Sequence, residues 1–452
     1  MVHTFEALGV KLAVDVNSGA VHVLDDLTYR LLPLVEPPMA EHCPPELLDR
    51  LPEYRTEAVE EGWQDLRELA GNGLLFVEDD YVDPAAATAL QQSAPIKALC
   101  LHVSHDCNLR CQYCFASTGD FGTGRKIMDI ETAKRAIDFV IQRSGSRRNI
   151  EVDFFGGEPL MAMDTVKATV AYARSIEKKA GKCFRFTITT NGVLLDDENI
   201  DYINREMSNA VLSLDGRPQV NDRMRKTVNG KGSYEVIVPK FQKLVAGRGT
   251  KDYYLRGTFT HYNLDFAEDV MHMADLGFRN VSVEPVVGEE TCGYALKDED
   301  LPVVLEQYEK LAEKLKDRAD VNFFHFNVDL AQGPCVIKRL RGCGAGCEYV
   351  AVTPEGDIYP CHQFVGNPAY KIGSLSDGSF DMELSHRFSC LNIYTREECR
   401  DCWARFYCSG GCSASNLLVN GDIKKPNHVG CEMERKRLEC AIALKALAAG
   451  MG

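Results

Sequence analysis

The sequence has no long apolar run. No stretch approaches the roughly 18 consecutive apolar residues of a membrane span, although 45% of the 452 residues are hydrophobic. The opening segment, MVHTFEALGVKLAVDV, alternates apolar and polar residues and carries Asp15, without the apolar centre of a signal peptide. A dense Lys/Arg run is missing too: 51 basic residues stand against 66 acidic ones, a net charge of -15. A nucleic-acid enzyme shows a basic face, so no nucleic acid and no membrane are expected as partners. A neutral or basic peptide suits this balance better. The expectation is a cytoplasmic, soluble protein.

Cysteine is abundant, with 18 residues. Without an export signal the thiols stay reduced, so metal binding or catalysis is a better reading than disulfides. The cysteines also cluster by spacing.

Residues 1–80 read as a small unit. Val10, Leu12, Val14 and Val16 alternate as in a strand, Asn17-Ser18-Gly19 is a turn, and Ala20 to Leu24 forms a second strand. Asp25 or Asp26 caps a helix through Leu27, Leu31 and Leu34. A charged helix runs from about Thr56 to Gly71 or Gly73, and Leu74–Val77 is a further strand. This order is winged-helix-like. Residues 81–95 are small, polar and Pro-bounded, a linker. From Ile96 to about residue 320, strands and helices alternate. The strands are Ala98–Val103, Asn149–Phe155, Phe184–Thr190, Ala210–Leu214, Tyr254–Thr260 and Asn280–Pro285. Such units predict a parallel sheet with outer helices, too few for a closed eight-fold barrel and therefore a partial one. Residues 321–452 hold a bridging region and a Gly-, Cys- and Pro-rich segment of the kind organised by metal rather than by a large apolar core.

Directly after the first of these strands stands Cys107-Asn-Leu-Arg-Cys111-Gln-Tyr-Cys114. Three thiolates hold three irons of a [4Fe–4S] cluster and leave the fourth open. The stretch resembles the cluster loop of the radical S-adenosyl-L-methionine (AdoMet) superfamily. That resemblance implies that the open iron chelates AdoMet and cleaves it to a 5′-deoxyadenosyl radical, which abstracts a hydrogen atom. It also implies a cofactor role for residues at later strand ends. Gly156, Gly157 and Glu158 match the segment that binds the AdoMet amino group, through Glu158 or nearby backbone carbonyls. Asn191 and Ser213 match positions that contact ribose or carboxylate, and Asp215 lies on the substrate side. Arg256 matches a basic position that pairs with the AdoMet carboxylate. Glu284 and Tyr113 fall near the adenine.

A second signature follows: Cys343, Gly356 and Cys361, then Cys399-x2-Cys402-x5-Cys408-x3-Cys412, and Cys431. It resembles the SPASM domain, which binds two auxiliary [4Fe–4S] clusters, three clusters in all. The resemblance assigns Cys343, Cys361 and Cys412 to the first auxiliary cluster and Cys399, Cys402, Cys408 and Cys431 to the second. Cys347 is additional and stays open as a ligand. His362 stands where some relatives place an acidic catalytic base. Cysteines 43, 100, 183, 292, 335, 390 and 440 lack motif spacing and read as structural.

The order of these parts resembles maturases of ribosomally made peptides, with CGAGC-EYVAVTPEGDIYPCHQF similar to the SCIFF type among the ranthipeptide and sactipeptide maturases. The resemblance implies a leader-bearing, Cys-rich precursor peptide, Cys-to-acceptor thioether crosslinks (the acceptor commonly Thr), and an external flavodoxin- or ferredoxin-type electron donor. Two alternatives are an anaerobic sulfatase-maturase-type enzyme that makes formylglycine and a non-catalytic iron–sulfur scaffold. The open-iron motif followed by Gly-Gly-Glu-Pro speaks against the scaffold.

Overall fold

The computed structural model describes residues 1–79, 95–289, 291–330 and 336–450; the expected linker, Pro95 excepted, and Cys335 fall outside them. The chain opens with antiparallel strands β1 (Val2–Ala7), β2 (Val10–Asp15) and β3 (Val21–Leu24), in that spatial order. Helix α1 (Asp26–Leu31) starts where the Asp25 carboxylate accepts the Thr28 N–H at 2.7 Å, and α2 (Thr56–Gly71) follows. Ala13 on one face of β2 packs with Leu31 and Trp63 of these helices. Leu12 and Val14 on the other face pack against Ile442, Ala443 and Ala446 near the C-terminus. Both faces of this sheet are therefore covered. The expected strand at Leu74–Val77 is absent: Gly73 and Phe76 take positive φ, +69° and +56°, which breaks extension. The segment is pinned instead at Val77, whose N–H donates to Asp15 Oδ2 and whose carbonyl accepts from Asn17 Nδ2.

Strand β4 (Ala98–His105) is followed by short strands β5 (Leu109–Cys111) and β6 (Lys126–Ile127) and by α3 (Ile130–Arg143), capped by Asp129 on the Thr132 N–H at 2.8 Å. Then come β7 (Asn149–Gly156), α4 (Met163–Ala180), β8 (Cys183–Thr190), α5 (Asp197–Glu206) and β9 (Asn209–Ser213). They are followed by β10 (Arg225–Thr227), α6 (Tyr234–Ala246), β11 (Asp252–Phe259), α7 (Phe266–Asp275), β12 (Asn280–Pro285), α8 (Leu301–Leu315) and β13 (Asn322–Phe323). The six expected strands all form, and they pair in parallel in the order β12-β11-β9-β8-β7-β4, with β13 added beyond β12. Alternation sorts their side chains. Leu99, Val152, Phe186, Leu255 and Val283 join the helices in one core, while Asp153, Thr187, Ser213, Arg256 and Glu284 fall on the opposite face.

The sheet continues past β4 into the C-terminal part. Strand β14 (Tyr349–Val352) pairs parallel with β4, and β15 (Asp357–Tyr359) and β16 (Gly373–Ser374) add antiparallel edges. This corrects the expectation of a segment held by metal in place of a core: Val350, Ala351, Val352 and Ile358 are fully buried and continuous with the core of the parallel sheet. Helix α9 (His428–Ala448) closes the chain against α8 and the N-terminal sheet.

Candidate active site and cysteine clusters

The strand ends β4, β7, β8 and β9 bring the motif residues to one edge of the parallel sheet, where such sheets hold their sites. The Cys107–Cys114 loop is fastened there from several sides. Its strand β5 pairs antiparallel with β10, setting Cys111 opposite Arg225. The Arg110 guanidinium donates to the Cys107 carbonyl at 2.5 Å and the Leu109 carbonyl at 2.7 Å. The Gly156–Gly157 backbone passes so close that no side chain fits. A Cβ on Gly156, already at φ +137°, would lie 2.1 Å from the Ser104 carbonyl oxygen, and one on Gly157 2.2 Å from that of Asp106.

Glu158 is turned inward and is 1% exposed. Its Oε1 accepts from the Thr190 hydroxyl at 2.7 Å and the Leu160 N–H at 3.0 Å, and its Oε2 accepts from the Asn191 N–H at 2.8 Å. The carboxylate thus clamps the β7 end to the β8 end, which leaves the backbone carbonyls of this segment as the acceptors for an amino group. Asn191 is committed as well: its Nδ2 donates to Asn108 Oδ1 at 2.8 Å and reaches Cys107 Sγ at 3.6 Å. It braces the loop.

Asp215 is engaged by its own surroundings. It is 1% exposed and accepts the Tyr113 hydroxyl at 2.9 and 2.7 Å and the Thr258 N–H at 3.1 Å. Burial pushes its carboxyl up to about 6, while Arg225 opposes that rise. Arg225 in turn donates to the Tyr113 hydroxyl at 3.0 Å. The Tyr113 hydroxyl is thereby engaged, and only its ring face remains for a base. Arg225 and Asn108 carried no signal in the sequence; only the β5–β10 pairing and the bracing by Asn191 reveal them.

Ser213 and Arg256 are register partners on β9 and β11, and Arg256 forms an ion pair with Glu284. A bound carboxylate would share this guanidinium with Glu284. His362 lies near Phe115 and Phe155, with ring centroids 5.4 and 5.0 Å apart, and its Nδ1 pairs with the Tyr349 hydroxyl at 3.1 Å. Burial pushes His362 down to about 4, and Arg256 adds to that, so the ring is neutral. It faces the same side of the sheet as Asp153 and Arg256.

The described cysteines are all free thiols. Burial pushes Cys107 up to about 12 and Cys111 up to about 11, each raised further by its loop neighbours, while Arg225 pulls Cys111 back. Thiols this protonated need a cationic partner to ionise, which a metal cluster supplies. The C-terminal cysteines fall into two mutually exclusive neighbourhoods. Cys361 is pushed up by burial and then by Cys412 and Cys343, and Cys412 in turn by burial and Cys343. Cys399 is pushed up to about 12 by burial with Cys431 and Cys402 adding, and Cys408 upward by burial with Cys431 and Cys399. The donor chemistry of these thiols fits iron–sulfur clusters. The neighbourhoods are looser than a mononuclear site: among the described residues no three His, Cys, Asp or Glu side chains gather closely enough to hold one metal ion. Cys347 lies beside the first set: burial pushes its thiol up to about 11, with Cys343 adding to the rise. Its thiol donates back to the Gly344 and Ala345 carbonyls at 3.3 and 3.6 Å.

No helix among the described residues is long and apolar enough to cross a membrane. Residues 101–246 match the family model described as the radical SAM superfamily, and residues 343–403 match the SPASM model, described as an iron-sulfur cluster-binding domain. The chain is 24% identical over 345 residues to a cysteine-type anaerobic sulfatase-maturating enzyme of Clostridium perfringens, covering 70% of this chain and 89% of that one. Among solved structures it resembles native anSMEcpe with bound AdoMet and Cp18Cys peptide, with a TM-score of 0.65, 20% identity, and coverage of 79% of this chain and 100% of that one. It also resembles Streptococcus suis SuiB bound to precursor peptide SuiA, with a TM-score of 0.55, 17% identity, and coverage of 95% and 98%. The strand-end site, the cysteine sets and the two family models agree: the chain is a radical SAM enzyme carrying a SPASM iron–sulfur domain.

Proposed function

We propose that this enzyme is a peptide maturase that joins Cys sulfurs to acceptor carbons, Thr among them, in a ribosomally made Cys-rich precursor peptide. The observation that carries the reading is the N-terminal sheet. Among the described residues it leaves β3 with a strand partner on one side only, while side chains of all three strands, Val21 and Val23 of β3 included, pack onto the C-terminal domain. An extended leader peptide adds a strand to such an edge, drawing affinity from backbone hydrogen bonds. In support, the likeness to SuiB with its precursor peptide spans 95% of the chain, whereas that to anSMEcpe spans 79%.

The residues divide the work. When bound, three clusters and AdoMet supply electron transfer and a hydrogen-abstracting radical. Cys107, Cys111 and Cys114 hold the open-iron cluster, and Arg225 stands behind Cys111. Glu158 keeps the β7 and β8 ends fixed, so that the AdoMet amino group meets a rigid set of carbonyls. Arg256 offers its guanidinium to the AdoMet carboxylate. Neutral His362, oriented by Tyr349, lines the same face and is a weakly basic ring. A flavodoxin- or ferredoxin-type donor supplies electrons from outside.

The test is co-expression with a short peptide of about six closely spaced cysteines, followed by mass spectrometry after thiol alkylation. Each thioether removes two hydrogens and one alkylatable thiol. A product that loses sulfur indicates formylglycine, the sulfatase-maturase reaction. Loss of two hydrogens with every thiol still alkylatable indicates a carbon–carbon bond. Either result overturns the thioether reading.

A further inference from the structure

Between the two auxiliary cysteine sets lies one buried cation. Arg396 is 3% exposed and sits three residues before Cys399, whose N–H donates to the Arg396 carbonyl at 3.1 Å. Its side chain crosses to the other set: Nη2 donates at 3.0 Å to the hydroxyl of Ser413, the residue after Cys412. It packs over Gly410, between Cys408 and Cys412, so closely that a Cβ there would meet its Cδ and Nε at 2.9 Å each. Gly410 leaves room for this guanidinium beside both sets.

Its protein partners are all neutral. Nη1 donates to the Ile423 carbonyl at 2.8 Å and the Lys424 carbonyl at 3.1 Å, Nη2 donates to the Ser413 hydroxyl, and Nε is buried without a partner. The Asp422 carboxylate acts on its charge more weakly than Cys399, Cys408 and Cys412 do. A buried charge without a counter-ion costs several kcal/mol. Two buried arginines nearby are answered by carboxylates, Arg405 by Asp79 at 2.9 Å and Arg341 by Glu348 at 3.3 Å, whereas Arg248, far from the cysteine sets, is held by backbone carbonyls alone. Arg396 lacks such a partner, and thiolate-ligated iron–sulfur clusters on either side are anions.

We infer that Arg396 is the shared counter-ion of the two auxiliary clusters and sets both reduction potentials. The inference rests on the assignment of Cys343, Cys361 and Cys412 to one cluster and of Cys399, Cys402, Cys408 and Cys431 to the other. A fixed positive charge at low dielectric stabilises the more negative, reduced state of each cluster. Arg396 is a positioning and tuning residue; it touches no substrate.

The test uses full-length reconstituted protein carrying Cys107, Cys111 and Cys114 as Ala, so that only auxiliary signals remain. Arg396→Gln and Arg396→Lys are compared by iron content and by redox titration followed by EPR. In Arg396→Gln, with iron content unchanged, both auxiliary midpoints move to more negative potential, and in Arg396→Lys they return toward the parent values. If Arg396→Gln loses auxiliary iron while Arg396→Lys keeps it, the charge itself is required, which also supports the inference. Unchanged midpoints, a shift confined to one cluster, or equal iron loss in both variants overturns it. A parent protein holding fewer than two auxiliary clusters refutes the ligand assignment instead, whatever the variants do.

Discussion

The Trp403 indole stacks on the His3 imidazole, ring centroids 4.0 Å apart and planes 5° apart. His3 belongs to the first strand of the chain, and Trp403 follows Cys402 of the second auxiliary set. The same junction holds Arg405 Nη2 on Asn17 Oδ1 at 2.6 Å, the His3 ring nitrogen against Glu439 Oε1 at 3.0 Å, and Val16 in one apolar cluster with Cys399. The N-terminal sheet is thus a wall of the auxiliary-cluster region.

Deleting residues 1–79 is therefore expected to cost more than peptide recognition. It uncovers Ile442, Ala443, Trp403 and the apolar surround of Cys399, and the truncated protein should lose about four irons per chain, one cluster. Leader binding is tested instead by proline substitutions along the outward edge of β3, which remove backbone donors. These should weaken peptide binding and leave iron content unchanged; unaltered peptide affinity counts against the edge as the docking site.

Changing Cys107, Cys111 and Cys114 together to Ala should abolish 5′-deoxyadenosine formation from AdoMet under reduction. The auxiliary clusters should remain, because their ligands lie on separate elements. Residual 5′-deoxyadenosine in the triple variant would show that another site cleaves AdoMet.

Cys347→Ala should keep iron near about twelve per chain, the content of three four-iron clusters. The thiol bonds to its own loop, and on the open-site reading the substrate thiolate takes the remaining position on the first auxiliary cluster. Added peptide should then perturb that cluster's EPR signal. Loss of about four irons identifies Cys347 as a ligand and rules out the open site.

Glu158→Gln places an amide donor against N–H or O–H donors that now share the carboxylate. The clamp between β7 and β8 should weaken by about 1–3 kcal/mol, read as a lower melting temperature and weaker AdoMet binding by calorimetry. Wild-type affinity in this variant would show that the clamp plays no part in holding the cofactor.

Burial pushes Asp153 up to about 7, against the opposing pull of Arg256 and Thr189. The folded state thus holds this proton more tightly than the unfolded chain does. The resulting stability is present below pH about 4 and is lost as pH rises toward 7. Wild type should fall by about 2–4 kcal/mol relative to Asp153→Asn across that window. A difference between the two melting temperatures that does not change with pH contradicts this account.

Much of this protein is legible in its sequence because the signals are local. The spacing of Cys107, Cys111 and Cys114 and of the C-terminal cysteines states the donor chemistry directly. Strand period locates β4, β7, β8, β9, β11 and β12, whereas the short strands β5, β6 and β10 gave no such signal. Tertiary structure decided what depends on pairing between distant segments. Leu74–Val77 carries a strand's composition, yet positive φ at Gly73 and Phe76 turns it into a pinned loop. The hydrogen bonds that Asp215 and Glu158 collect could not be read from the sequence, because their donors come from Tyr113, Thr190 and Asn191 on distant segments. Arg225 and Arg396 gained their meaning only when folding set one opposite Cys111 and the other between two cysteine sets. Charge acts through space, and sequence distance does not record it.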